Sequence, residues 1–106
     1  MNDTDIINKY VNWTRLSCDD SLSEEFIEKY QDKLNWMNIS QYQKLSEKFI
    51  EKHSDIIDWE LISEFQDLSE EFIKKHLDKI DIYYLMDNRN IPEYIKKEIE
   101  NLKEII

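Results

Sequence analysis

Large apolar side chains recur along the chain at a fixed interval of 23 residues. Phe26, Phe49 and Phe72 fall into register, as do Ile27, Ile50 and Ile73, and then Leu34, Ile57 and Ile80, a column that Val11 extends backwards. Trp13, Trp36 and Trp59 form another column, closed by Ile82, and Leu16, Ile39, Ile62 and Leu85 form the next. A fixed period in this range marks stacked supersecondary units, each too small to bury its apolar face alone. Three indoles in a single structural role are expected to pack, because large rings dominate buried area.

The polar positions between these columns punctuate the units. Leu22 to Ile27 reads LSEEFI, Leu45 to Ile50 reads LSEKFI, and Leu68 to Ile73 reads LSEEFI again. In each copy Ser23, Ser46 or Ser69 stands where an N-cap belongs, and acidic residues follow in the electropositive first turn. That helix runs on through FIEKY, FIEKH or FIKKH. A second begins at Asn12, Asn35, Asp58 or Asp81 as N-cap and sets the Trp on the same face as an apolar residue three positions on, as in Trp36 with Ile39 and Trp59 with Ile62. It ends near QYQ or EFQ. Helices of about seven to ten residues are marginal alone, so packing against neighbours has to hold them.

The spacing therefore predicts an all-α fold: an α-solenoid of short helix pairs with a 23-residue repeat, capped by a longer C-terminal helix. By length the chain is a single helical repeat domain. Residues 1–21 form an N-terminal cap and half repeat, 22–44, 45–67 and 68–90 three repeats, and 91–106 the closing helix. Residues 4–10 read as a degenerate first helix. After Asp81 the pattern changes to DIYYLMDNR, and the closing segment carries Pro92 at a permissive first-turn position, with Tyr94, Ile95, Ile99, Leu102 and Ile106 at helical spacing.

The run LSEEFIEKY, then DKLNW, then ISQYQKLSEKFIEKH, is similar to a short helical repeat found in proteins of phages and large DNA viruses. The resemblance covers roughly residues 11–86, and the third unit departs from it by lacking the Trp and the ISxYQ ending. It implies an α-helical repeat and a viral or mobile-element origin, and it carries no common activity with it.

Acidic residues outnumber basic ones by 24 to 14, a formal net charge of -10. Phosphate contacts would need a basic patch against that field, and Lys29 and Lys52 sit directly beside acidic neighbours while Lys75 lies one helical turn past Glu71, which disfavours direct nucleic-acid or membrane binding. A protein with a basic surface is the easier partner. Gly and Ala are absent and Pro occurs once, which removes the Gly-rich turns of phosphate cradles and nucleophile elbows and suggests an AT-rich genome. The lone Cys18 permits no intrachain disulfide. No apolar signal region or membrane span is visible either, so the expected setting is cytoplasmic, of the host cell if the chain is phage-encoded.

Candidate chemistry is sparse. His53 and His76 each precede an Asp by two positions, but they share their column with Tyr30, which fits a shared aromatic shape better than a zinc site needing three or four convergent ligands. Cys18 aligns with Gln41 and Glu64 and has no activating base beside it in sequence. Paired carboxylates such as Glu24 with Glu25 are accounted for by the helix dipole. No catalytic residue, cofactor or metal is expected.

What remains is surface. Glu24, Glu47 and Glu70 align as one ladder and Asp32, Asp55 and Asp78 as another, at the turns between helices. A rod of such units on the order of 40 Å long would carry about one net charge per 4 Å, too dilute on average to copy duplex DNA at about 1.7 Å per charge. Mimicry requires the carboxylates to gather on one face; a solvated acidic exterior is the competing reading. Column 14, 37, 60, 83 reads Thr, Met, Glu, Tyr, and column 15, 38, 61, 84 reads Arg, Asn, Leu, Tyr; such drift suggests freedom from core packing. Met37, Glu60, Glu64, Tyr83, Tyr84 and Met86 are accordingly candidates for partner contact, although Tyr83, Tyr84 and Met86 can equally pack the closing helix. The function expected is a non-enzymatic, protein-binding inhibitor that blocks a basic, nucleic-acid-binding surface of a host defence protein, as anti-CRISPR proteins do. The alternative is a scaffold that self-associates into a homo-oligomer through its repeat ends.

Overall fold

The computed structural model describes residues 2–10 and 12–105, and of Ile105 only the backbone. Val11 and Ile106, which the apolar columns include, lie outside the described residues. Among the described residues the chain is helical, with no strand: α1 (Asp3–Lys9), α2 (Trp13–Leu16), α3 (Glu24–Lys29), α4 (Trp36–Tyr42), α5 (Glu47–Lys52), α6 (Trp59–Phe65), α7 (Glu70–Lys75), α8 (Ile82–Met86) and α9 (Glu93–Ile105). Most are shorter than the spacing predicts. α3, α5 and α7 stop after 6 residues because Tyr30, His53 and His76 leave the helical region, with ψ of 22°, 27° and 33°.

Every helix start outside α9 is closed by a side chain. Asn2 caps α1, Ser23, Ser46 and Ser69 accept from the backbone N–H of Phe26, Phe49 and Phe72, and Asn12, Asn35, Asp58 and Asp81 cap α2, α4, α6 and α8. Each such cap contributes about 1 kcal/mol, a large share for a helix of one or two turns. No described residue has a positive φ, so the reversals among the described residues are made without left-handed backbone.

The chain divides into two compact units, Met1–Ile57 and Asp58–Ile106, with the division between α5 and α6. In the first unit Leu16, Phe26, Ile27, Leu34, Ile39, Phe49, Ile50 and Ile57 are buried. Trp13 packs on Tyr30, whose ring is tilted against Phe26 at 4.7 Å; Trp36 packs 5.2 Å from His53, whose ring lies 4.5 Å from Phe49. The indoles are only half-buried. That of Trp36 donates to the Gln31 carbonyl at 2.9 Å, which holds the polar edge of the ring towards the surface.

Polar groups complete this unit's interior. Ser17 is fully buried; its hydroxyl donates to the Trp13 carbonyl at 2.7 Å and accepts the backbone N–H of Asn35, the cap of α4, at 2.8 Å. The buried Gln43 amide donates to the carbonyls of Ser17 and Asp19, closing the end of α2.

The second unit repeats these devices. Trp59 and Phe72 stack, and His76 lies 4.5 Å from Phe72. Fully buried Ser63 donates to the Trp59 carbonyl at 2.7 Å and accepts the backbone N–H of Asp81, the cap of α8, at 3.0 Å. Here Asn88 takes the amide's place: it is fully buried and donates to the carbonyls of Ser63 and Gln66, each at 2.8 Å. α8 packs on α6 and α9, and α9 on α7, around Ile62, Ile73, Ile80, Leu85, Ile91, Ile95 and Ile99. Tyr94, grouped by spacing with the apolar face of α9, is instead 70% exposed. Beside the buried Ile95, Lys96 also turns inward, and its buried stem carries its ammonium to the Met86 carbonyl at 3.0 Å.

Candidate functional site

Two ends of the electrostatic pattern are built differently. In the first unit the turns after α3 and α5 leave Asp32 and Asp55 exposed, and in the second the turn after α7 leaves Asp78 exposed. The other aligned ladder is drawn into the fold. Glu24 is half-buried and its carboxylate accepts from both the backbone N–H and the hydroxyl of Ser46, at 2.6 and 3.0 Å, so it closes the start of α5 together with the serine cap. Glu47 is also half-buried. Glu70 pairs with Lys74 at 3.2 Å, and Lys74 reaches Glu98 of α9 at 3.0 Å. These first-turn glutamates therefore carry structural contacts that column alignment alone does not reveal.

The lysines are matched in the same way. Lys29 pairs with Asp3 at 3.1 Å and Lys52 with Glu28 at 2.8 Å. Hydrogen bonds from Lys52 and then His53 hold the Glu28 carboxyl below the usual carboxylate range, and the His53 Nε2 lies 2.8 Å from it. Lys74, followed by Glu70, does the same for Glu98, and hydrogen bonds to Glu98 first and then to Glu70 raise the pKa of the Lys74 ammonium. Ion pairing thus occupies several cations, while the turn aspartates face solvent.

Among the second-helix candidates, Met37 is 60% and Tyr83 82% exposed, and Thr14 and Glu60 of the same column are exposed too. The neighbouring column is not free: Asn38, Leu61 and Tyr84 are half-buried. Asn38 donates to the Thr14 carbonyl at 3.2 Å, and the Tyr84 hydroxyl is bonded to Glu60, which raises its pKa. Asn38 and Tyr84 thus each make a contact between helices, whereas Arg15 of the same column is exposed.

The second unit brings three of the candidates into two adjoining depressions. Glu64 and Met86 line one of about 740 Å³, together with Phe65, Asp87, Arg89, Asn90 and Lys96. Tyr83 and Met86 line the other, a groove of about 310 Å³ between α8 and α9, with Ile82, Glu100, Lys103 and Glu104. Met86 is the wall common to both. Sequence reasoning reached Tyr83 and Met86 through residue type but missed Glu100, Lys103 and Glu104. Their signal was present as polar positions one turn apart on an otherwise amphipathic closing helix.

Among the described residues no three of His, Cys, Asp and Glu converge in a way that could hold a metal ion. Cys18 is exposed, its thiol 3.6 Å from the Thr14 carbonyl. No described helix is long and apolar enough to cross a membrane. No family model, curated protein or solved structure matches the chain.

Proposed function

We propose that this chain is a non-enzymatic binding protein, encoded by a phage or other mobile element and built as a solenoid of 23-residue helix pairs. It works in the host cytoplasm by occluding a basic, nucleic-acid-binding surface of a defence protein, in the manner of an anti-CRISPR. The observation that carries the reading is the disposition of charge: a net charge of -10, with Asp32, Asp55 and Asp78 exposed while Lys29, Lys52 and Lys74 are paired within the fold. A surface of that kind steers towards cationic partners and away from nucleic acid itself. The bond each buried serine offers to a cap 18 residues on, Ser17 to Asn35 and Ser63 to Asp81, supports the repeated helix pair as the building unit.

Affinity capture with the full chain from lysate of a candidate host tests the reading. A basic, nucleic-acid-binding protein should be retained, should lose its nucleic acid on binding, and should be released steeply by salt. Recovery of salt-insensitive partners alone, or of none, overturns it. The self-associating scaffold makes a separate demand: a mass by light scattering that rises with concentration, where the inhibitor is a monomer at high micromolar concentration.

A further inference from the structure

We propose that the groove between α8 and α9 is the docking site for a short, basic, amphipathic helix of the partner protein. This rests on the reading of the chain as a binder of a basic protein surface, and names the place and the chemistry of the contact. Ile82 and Met86 line the groove together with Tyr83, whose ring is 82% exposed. An aromatic left so open beside a methionine is the residue pairing enriched at the centre of protein interfaces and among their strongest contributors.

Charge selects the occupant. Glu100 and Glu104 line the same groove one helical turn apart on α9, and neither forms an ion pair with another described residue. The cation between them, Lys103, donates its ammonium to the Ile80 carbonyl. The groove therefore offers two carboxylates that can still be paired, against one ammonium already engaged. A spacing of one turn, about 6 Å, matches Lys or Arg side chains placed one turn apart on a facing helix, with the apolar residue between them entering beside Tyr83. A second copy of this chain is disfavoured as occupant, because each copy carries a net charge of -10.

The test uses the full chain and a synthetic helical peptide of about 15 residues with leucines on one face and lysines flanking them. Two controls accompany it, one with every lysine replaced by glutamate and one with every leucine replaced by glutamine. Backbone NMR shifts on titration should concentrate at Ile82, Tyr83, Met86, Glu100 and Glu104, and neither control should produce them. Tyr83→Ser should weaken binding at least about tenfold, and Glu100→Gln with Glu104→Gln should weaken it several-fold and flatten its salt dependence. Shifts spread over the turns at Asp32, Asp55 and Asp78, or affinity unchanged in both variants, overturn the proposal. If a basic host protein is captured equally well by wild type and both variants, the groove is refuted while the inhibitor reading stands. If the peptide binds in the groove and no basic protein is captured, the inhibitor reading fails and the groove assignment holds.

Discussion

Replacing Asn88 by alanine should destabilise this protein by about 3 kcal/mol, and the figure follows from its contacts. The side chain is fully buried and makes three hydrogen bonds: two from its amide to the carbonyls of Ser63 and Gln66, and one from the Asn90 backbone N–H to its oxygen, all at 2.8 Å. Alanine leaves both carbonyls at the end of α6 without this donor. An unsatisfied buried acceptor costs about 1 to 3 kcal/mol, and the low end applies because the neighbouring Phe65 and Asn90 are exposed and water can approach. Adding about 1 kcal/mol for the void and the lost Asn90 contact gives the total. For a chain of this length, with a cooperative transition, the thermal midpoint should fall by roughly 12 to 20 °C. Asn88→Asp separates bonding from packing, since it keeps the volume but presents a carboxylate to two carbonyl oxygens. The folded pKa of the introduced carboxyl must rise, so its penalty is full at neutral pH and is relieved as pH falls through that raised value. Circular dichroism melts at pH 7 and pH 5 should show the aspartate variant as the less stable of the two at pH 7, with the gap to alanine narrowing at pH 5. A melting loss in Asn88→Ala of only 1 or 2 °C, or an aspartate variant as stable as wild type, would refute the bonding account.

Other outcomes test the remaining contacts. Ser63→Ala should cost about 1 to 2 kcal/mol and specifically lower hydrogen-exchange protection at the Asp81 amide, which loses its acceptor; unchanged protection there would mean the hydroxyl is dispensable. Ser46→Ala should cost about 1 kcal/mol, measured by urea denaturation, because the Phe49 N–H loses its acceptor while Glu24 still accepts only from the backbone N–H of residue 46. Because Lys52 and His53 depress the Glu28 pKa, its contribution is present above the unfolded carboxylate value of about 4.3 and is lost as pH falls through the lower folded value. Wild type should therefore lose urea resistance more steeply than Glu28→Gln below about pH 4.3, and parallel curves would contradict that linkage. Tyr83→Ser should leave the melting midpoint within the range of a neutral surface change, because the ring is 82% exposed.

The repeat and its helix starts were readable because they rest on local rules that operate within a few residues. A serine or aspartate before an apolar-periodic run has few competing explanations, and Ser23, Ser46, Ser69, Asp58 and Asp81 all cap as the pattern requires. The apolar columns headed by Phe26, Ile27, Leu34 and Leu16 are buried at every described copy. Buried polar groups were harder. Ser17, Ser40 and Ser63 share the 23-residue period and are fully buried, as are Gln43 and Gln66 nearly so, yet a hydropathy reading assigns such residues to solvent. The partners of Ser17, Ser63 and Gln43 are backbone groups of other turns, which no side-chain pattern displays. The same limitation concealed the use of Glu24 on Ser46, the inward turn of Lys96 and the exposure of Tyr94. At the groove, residue type pointed to Tyr83 and Met86, whereas the contribution of α9 depends on a tertiary contact between two helices that differ from the repeat.

The absence of positive φ among the described residues, in a chain without a single glycine, also bears on the state the protein leaves when it folds. A chain of this length with average usage would contain about seven glycines, each enlarging the unfolded ensemble enough to cost about 0.4 to 1 kcal/mol relative to alanine. By building the reversals among the described residues from conformations open to ordinary residues, this sequence keeps its disordered state smaller by an amount on the order of several kcal/mol. Helices of one or two turns bury little apiece, and part of their persistence then resides in conformations that the unfolded chain cannot reach.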